Sequence, residues 1–358
     1  MNQPSTRENN FDLLRLLAAL QVAFFHVVNH LGVPLDRSNP LVAFASKLPG
    51  VPIFFVVSGF LISLSWERSP RLASYARNRA LRIYPALWVC LAVGIASAAL
   101  VGGIDFLRAD AIPWLAAQVT FGQFYNPDFL RGYGVGVLNG SLWTIPVELQ
   151  FYAFVPLLYA ALSLGSRRGN VALLLLAATS LGAQALYLAL GGTESEVLAV
   201  KLFGVSLAPY LWMFLIGVLL QRNFDQVGHL LSGKGLIWLG AYAAFAFGGE
   251  GLGLRVGTNS PHPLPMAVLG CAAIACAYSA PGWSHGLLRG NDISYGVYIY
   301  HAVVLNAFLA AGATGTWRSL ALVLGVSLSA ALVSWTAIER PALRLKRNAL
   351  HAVPGARS

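Results

Sequence analysis

Long apolar runs, separated by short stretches rich in Arg, Gly and Pro, dominate this chain. A run of about 20 apolar residues is long enough to cross the roughly 30 Å hydrocarbon core of a bilayer as a helix. The pattern predicts ten such helices, near 11–32, 50–66, 83–101, 142–164, 171–190, 203–221, 235–249, 264–280, 293–311 and 318–338. The second and seventh are short, which suits a tilted or partly broken span. The run from Ile112 to Phe124 is apolar but too short to cross, and reads as interfacial or re-entrant. No internal repeat is visible, so the inverted-repeat signature of many transporters is missing.

Composition supports this picture. Of 358 residues, 57% are apolar and 11% charged, against about 25% charged in soluble domains. Mean hydropathy is +0.64. These values exclude an ordinary cytosolic enzyme, a disordered chain and a secreted disulfide scaffold. The expected fold is an all-α polytopic transmembrane helical bundle of about ten spans. It would comprise a membrane domain over 1–340 and a basic cytoplasmic tail over 341–358.

The net charge of +10 comes from 24 Lys and Arg against 14 Asp and Glu. The cations are split among short loops, which fits cytoplasmic loop charge better than a nucleic-acid patch. With the N-terminus inside, 16 of them, Arg7 and Arg357 included, fall inside and seven outside. That bias predicts two cytoplasmic termini and an outer loop over about 102–141. Cys90, Cys271 and Cys276 lie in apolar runs and read as packing residues. The first apolar run holds Arg15 and His26 and lacks a small-residue cleavage site, so it does not read as a cleaved signal.

Ionisable residues within spans are costly and mark candidate function. Arg15 and His26 are eleven apart, about three turns and about 16 Å of rise, on nearly the same helix face. That face presents a cation near the inner boundary and an imidazole deep in the membrane. Asp12, three residues before Arg15, can pair with it. His30, one turn beyond His26, sits at the expected outer interface, and its spacing alone does not make a metal site; no metal is expected. In the fourth span Ser141, Glu148 and Tyr152 share a face at i, i+7 and i+11. Glu148 and His26 fall at similar depths, which allows an acid–base pair or a helix-locking hydrogen bond. His301 falls near the middle of the ninth span, where Tyr298 can share its face. It reads equally as a catalytic group or as a satisfied core histidine. Ser58 lacks a nucleophile elbow, while Pro52 and Gly59 read as kink or helix-packing positions. In the loop before the third span, Arg79 and Arg82 at i, i+3 put two guanidinium forks together, an arrangement suited to phosphate.

Several separated motifs resemble those of the acyltransferase family 3 membrane proteins, bacterial O-acyltransferases that modify surface glycans and other small molecules. Phe11-Asp12-Leu13-Leu14-Arg15 with His26 is similar to the family's Arg-x10-His signature. The run from Gly50 to Ile62, Arg79-Ala80-Leu81-Arg82-Ile83-Tyr84-Pro85, and Ser141-Leu142-Trp143 through Glu148 resemble further motifs in family order. Ser294 to His301 and Ile338-Glu339-Arg340-Pro341 match the later ones. Two departures stand out. Pro52 occupies a position that is acidic in many relatives, and where some relatives carry a fused extracytoplasmic esterase-like domain this sequence runs about 20 residues past the last predicted span, so transfer to the acceptor is expected in the membrane domain or with a separate partner.

The resemblance implies an acyl-CoA donor, acetyl-CoA above all, and a hydroxyl acceptor such as a carbohydrate. Arg15, Arg79 and Arg82 would hold the donor phosphates on the cytoplasmic side. The pantetheine arm would carry the thioester along α-helical rise to His26. His26 would deprotonate the acceptor or carry the acyl group itself, with Glu148 orienting it and His301 as a third catalytic candidate. The expected location is the bacterial inner membrane. The competing class is a proton-coupled transporter or flippase of an anionic solute, with His26, Glu148 and His301 as a proton relay.

Overall fold

A computed structural model describes residues 9–162, 164, 166–280 and 282–351; Arg7 and Arg357 of the charge count lie outside these. Among the described residues the secondary structure is entirely helical. In chain order the helices are α1 (Phe11–Leu31), α2 (Pro40–Ser46), α3 (Gly50–Arg68), α4 (Leu72–Leu100), α5 (Ala111–Val119), α6 (Thr144–Ala161), α7 (Arg167–Ala189) and α8 (Leu198–Phe203). They continue with α9 (Leu211–Arg222), α10 (Phe224–Leu231), α11 (Gly235–Gly248), α12 (Pro263–Ala277), α13 (Trp283–Leu288), α14 (Ser294–Ala310), α15 (Trp317–Ser334) and α16 (Arg340–His351). Six helical segments are long and apolar enough to cross a membrane, or seven if the α10–α11 pair, bent by 81°, counts as one. The chain is therefore a multi-pass membrane protein by length and composition.

Each of the ten predicted segments contains a helix, but several bounds move. The third begins at Leu72 rather than near 83, so Arg77 to Tyr84 are helical and not loop. The fourth enters through a 3-10 turn, Gly140–Trp143, before α6. Asn139 explains that turn: its Oδ1 accepts from Ser141 N at 3.2 Å and Ser141 Oγ at 2.7 Å. Such local side-chain bonds compete with helical ones. Ser141 consequently leaves the α6 face on which spacing had put it with Glu148 and Tyr152. The sixth helix starts only at Leu211, after turns capped by Tyr210 Oη donating to Gly204 O at 2.9 Å. The expected interfacial run becomes α5. Pro52 lies in the first turn of α3, where a missing N–H costs nothing, so it makes no kink.

The chain forms two compact units. The first comprises the chain to Phe25, Leu35–Arg68 and Trp143–Asp292. Its core is the crossing of α3 and α9, where Gly59 faces the Phe214 carbonyl and Gly217 faces the Val56 carbonyl, with no room for a Cβ on either. Backbones can approach this closely only at glycine. Gly59 thus takes the packing role its sequence context predicted. Where α3, α6 and α9 end, Arg222 ion-pairs with Glu67, which also accepts from Tyr159 Oη at 2.8 Å and Gln221 Nε2 at 2.9 Å. Ser63 Oγ donates to Gln221 Oε1 at 2.8 Å. A half-buried carboxylate among apolar helices needs these partners.

The second unit comprises His26–Pro34, Ser69–Leu142 and the chain from Ile293. Here α14 is central, and every residue from Ser294 to Asn306 is buried. It packs on α15 with Gly296 against Ala331. It is also fastened to α4: Tyr295 Oη donates to Ile83 O at 3.1 Å, and Cys90 Sγ donates to Ile299 O at 3.3 Å. The segment before α6 clasps the same helix. Asn139 Nδ2 donates to Ile299 O at 2.7 Å, and Tyr298 Oη donates to Ser141 O at 3.0 Å. Asn306 accepts from Val135 N at 2.9 Å and donates to Val137 O and Leu138 O at 2.9 and 3.1 Å. Trp114, Tyr133 and Leu130 form an apolar core beneath this segment with Leu91 and Leu138. After α15 the chain makes a π-turn, Trp335–Glu339, that buries Glu339 against Ser334 Oγ at 3.1 Å.

Candidate active site

α1 brings His26 to α14. His26 Nδ1 and His301 Nε2 are 3.0 Å apart, and the other ring nitrogen of His301, Nδ1, lies 3.1 Å from the Val297 carbonyl oxygen. A carbonyl only accepts, so the network assigns a proton to His301 Nδ1. In a neutral ring Nε2 is then the acceptor, and His26 donates to it through Nδ1. Nε2 of neutral His26 is left with its lone pair. That nitrogen can take a proton or attack a carbonyl. When it does take a proton, the His26–His301 bond becomes charge-assisted and stronger.

His301 is fully buried and His26 partly so. His30 is exposed at the end of α1, its ring centroid 6.2 Å from that of His26. The tyrosine expected on the His301 face, Tyr298, is there with ring centroids 6.1 Å apart, but its hydroxyl goes to Ser141 O. The partners of His301 are a backbone carbonyl and a second imidazole.

Arg79 and Arg82 are one turn apart on α4 and both half-buried. The Arg79 guanidinium lies over the Tyr75 ring, 5.8 Å from its centroid. Ile83, the neighbour of Arg82, accepts from Tyr295 in the first turn of α14. Tyr295 and His301 are six residues apart on that helix, about 9 Å of rise. Ile83, next to Arg82 in the chain, is thus tied to the first turn of α14, and His301 lies about 9 Å of rise further along that helix.

Arg15 is engaged elsewhere. Its Nη1 lies 3.0 Å from Asp292 Oδ2 and 3.8 Å from Asp12 Oδ1. The i, i+3 pair with Asp12 was legible in the sequence; the shorter contact, 277 positions away, was not. Glu148, on α6, accepts a hydrogen bond from Tyr152 Oη one turn on. Matching depth had paired Glu148 with His26. Within its own unit each has a partner, an imidazole for His26 and a phenol for Glu148.

An imidazole base with an oriented second nitrogen suits proton abstraction from a hydroxyl, and comparison with known proteins agrees with such chemistry. The acyltransferase-domain family matches residues 8–339. The chain belongs to acyltransferase family 3. It is an O-acyltransferase of the membrane-embedded kind, as the motif set led one to expect. Among family relatives, Nodulation protein 10 of Rhizobium leguminosarum bv. viciae is 34% identical over 357 residues, covering 96% of this chain and 95% of the relative. The O-acetyl transferase of Shigella phage Sf6 is 25% identical over 343 residues, 93% of this chain and 96% of its own length. Exopolysaccharide production protein ExoZ of Rhizobium meliloti is 28% identical over 316 residues, 83% of this chain and 90% of its own. No solved structure matches the chain. Within the family frame, His26 and Arg15 of the Arg-x10-His motif turn out to have different partners, one an imidazole on α14 and the other the carboxylate just before it.

Proposed function

We propose that this acyltransferase moves an acyl group, acetyl in the first instance, from acyl-CoA at the cytoplasmic face to a hydroxyl of a surface carbohydrate, a lipid-linked sugar or a small molecule. The observation that carries the reading is the His26–His301–Val297 hydrogen-bond chain, which leaves His26 Nε2 as a base. Arg79 and Arg82 would meet the donor's phosphates at the foot of α14, and the slender pantetheine would lead the thioester toward the imidazoles. Relatives whose names specify O-acetyl transfer and exopolysaccharide production support the acyl group and the acceptor class. The inner membrane of a bacterium is the location this sidedness requires.

In the reaction, His26 Nε2 removes the acceptor proton as the hydroxyl oxygen attacks the thioester carbonyl carbon. The tetrahedral intermediate collapses with cleavage of the carbon–sulfur bond. The imidazolium returns its proton to the departing thiolate, giving ester and free CoA with the enzyme unchanged. His301 accepts from Nδ1 throughout and holds the reactive tautomer. Neutral His301 adds no charge of its own, so the pair can hold a proton without an adjacent carboxylate.

The test is thioester loss by purified protein in detergent, with and without a carbohydrate acceptor. Acceptor-dependent release of CoA that disappears in His26→Ala supports the reading. Full turnover in a folded His26→Ala protein would remove His26 as the base. Trapping of an acyl group on His26 would replace base catalysis by a covalent intermediate.

A further inference from the structure

The reaction scheme gives no role to Asp292, a buried carboxylate. Asp292 has a side chain 8% exposed, and Arg15 lies 3.0 Å from it. With Asp12 at 3.8 Å, the Arg15 guanidinium faces two carboxylates. A donor phosphate would have to compete with both carboxylates for the guanidinium that the resemblance assigns to it.

The position of Asp292 suggests what the pair does. It lies two residues before α14 begins, and His301 follows nine positions later. Its partner is on α1, the helix that also carries His26. The helix that carries His26 thus carries Arg15 as well, and Asp292 sits in the segment that leads into the helix carrying His301. Their imidazole contact tolerates little movement, since a slip of α14 by one turn would displace His301 by about 5.4 Å. A buried carboxylate held by a guanidinium resists such a slip, because separating them gives up a charge-assisted contact in a largely buried setting.

We propose that Asp292 is a positioning residue. Through Arg15 it fixes the foot of α14 and so sets the reach of His301 to His26. This rests on the reading of His26 as the base. The experiment compares Asp292→Asn, Arg15→Gln and the charge-reversed double variant, Arg15→Asp with Asp292→Arg, in detergent. Three quantities are measured: kcat at saturating acyl-CoA, CoA affinity by calorimetry, and unfolding temperature.

Each single change is expected to lower kcat about tenfold to a hundredfold while CoA affinity stays within about threefold, the pattern of lost positioning rather than lost binding. Charge reversal is expected to regain at least about tenfold of kcat. If Arg15 binds the donor instead, Arg15→Gln weakens CoA binding, Asp292→Asn tightens it by releasing the guanidinium, and reversal regains nothing. That outcome overturns the proposal. Should Asp292→Asn not fold, Asp292→Glu keeps the charge, and unchanged kcat with altered CoA affinity there overturns it equally. Wild-type protein without acyl-CoA turnover would overturn the functional reading alone. The pair would then be judged by unfolding temperature, which both single changes lower and reversal restores; equal temperatures in all four proteins would overturn the pairing.

Discussion

Nδ1 of His26 and Nε2 of His301 are within hydrogen-bond distance, 3.0 Å, although the residues are 275 positions apart. The Val297 carbonyl behind His301 gives the contact a direction, since it accepts from His301 Nδ1. The contact leaves Nε2 of His26 with its lone pair, and under the proposed reaction the part played by His301 should be separable from that of His26 by mutation.

His301→Leu removes the acceptor for the His26 Nδ1–H. A charge-assisted hydrogen bond is worth about 1.5–3 kcal/mol, so kcat should fall roughly tenfold to a hundredfold. His301→Gln offers a side-chain oxygen in place of Nε2 and should recover part of that rate. Steady-state kinetics of the two folded variants, with CoA affinity as control, check this. Equal loss in both would mean that His301 only fills space.

Arg82→Ala should weaken CoA binding by roughly tenfold to a hundredfold, because each charge-assisted phosphate contact contributes about 1.5–3 kcal/mol. If those contacts persist through the reaction, donor KM rises with little change in kcat. Arg82→Lys keeps the charge but loses the planar fork, so it should restore only part of the affinity. Calorimetric titration of CoA reads both effects. Unchanged affinity in both variants would return Arg82 to setting topology.

Gly217→Ala should destabilise the first unit without touching the imidazoles. The added methyl would meet the Val56 carbonyl oxygen and the Phe60 amide nitrogen, both backbone atoms that cannot rotate away. Overpacking of this kind costs about 1–3 kcal/mol. The check is thermal unfolding in detergent beside Gly240→Ala, a helical glycine with open space around it. Equal unfolding temperatures would mean that the α3–α9 crossing is looser than described.

Asn306→Leu should loosen the clasp on α14. It removes three hydrogen bonds to the segment 135–138 and leaves their backbone partners in an apolar setting. At about 1 kcal/mol per bond the loss is about 3 kcal/mol. Hydrogen exchange of the Val135 amide should rise sharply. Protection equal to wild type would show that the aromatic core around Tyr133 holds the segment unaided.

Much of the architecture was legible because it follows from local composition. A run of apolar residues must become a helix in hydrocarbon, since each backbone N–H and C=O needs a partner within its own segment. That requirement alone located α1, α3, α7 and α15 to within a few residues. Motif spacing likewise singled out Arg15, His26, Arg79, Arg82, Glu148 and His301, because ionisable groups stand out in apolar sequence.

Partners were a different matter. Spacing along one helix gave Asp12 to Arg15 and Tyr152 to Glu148, whose side chains lie within a turn. It could not give His301 to His26 or Asp292 to Arg15, because helical periodicity says nothing of which other helix a face meets. Asp292 carried a faint signal as a carboxylate just before a span. Asn306 carried a similar one as an amide within a span, as did Glu67 and Arg222 at span ends. Tertiary packing brought those groups together, and with them the hydrogen-bond chain from His26 through His301 to Val297.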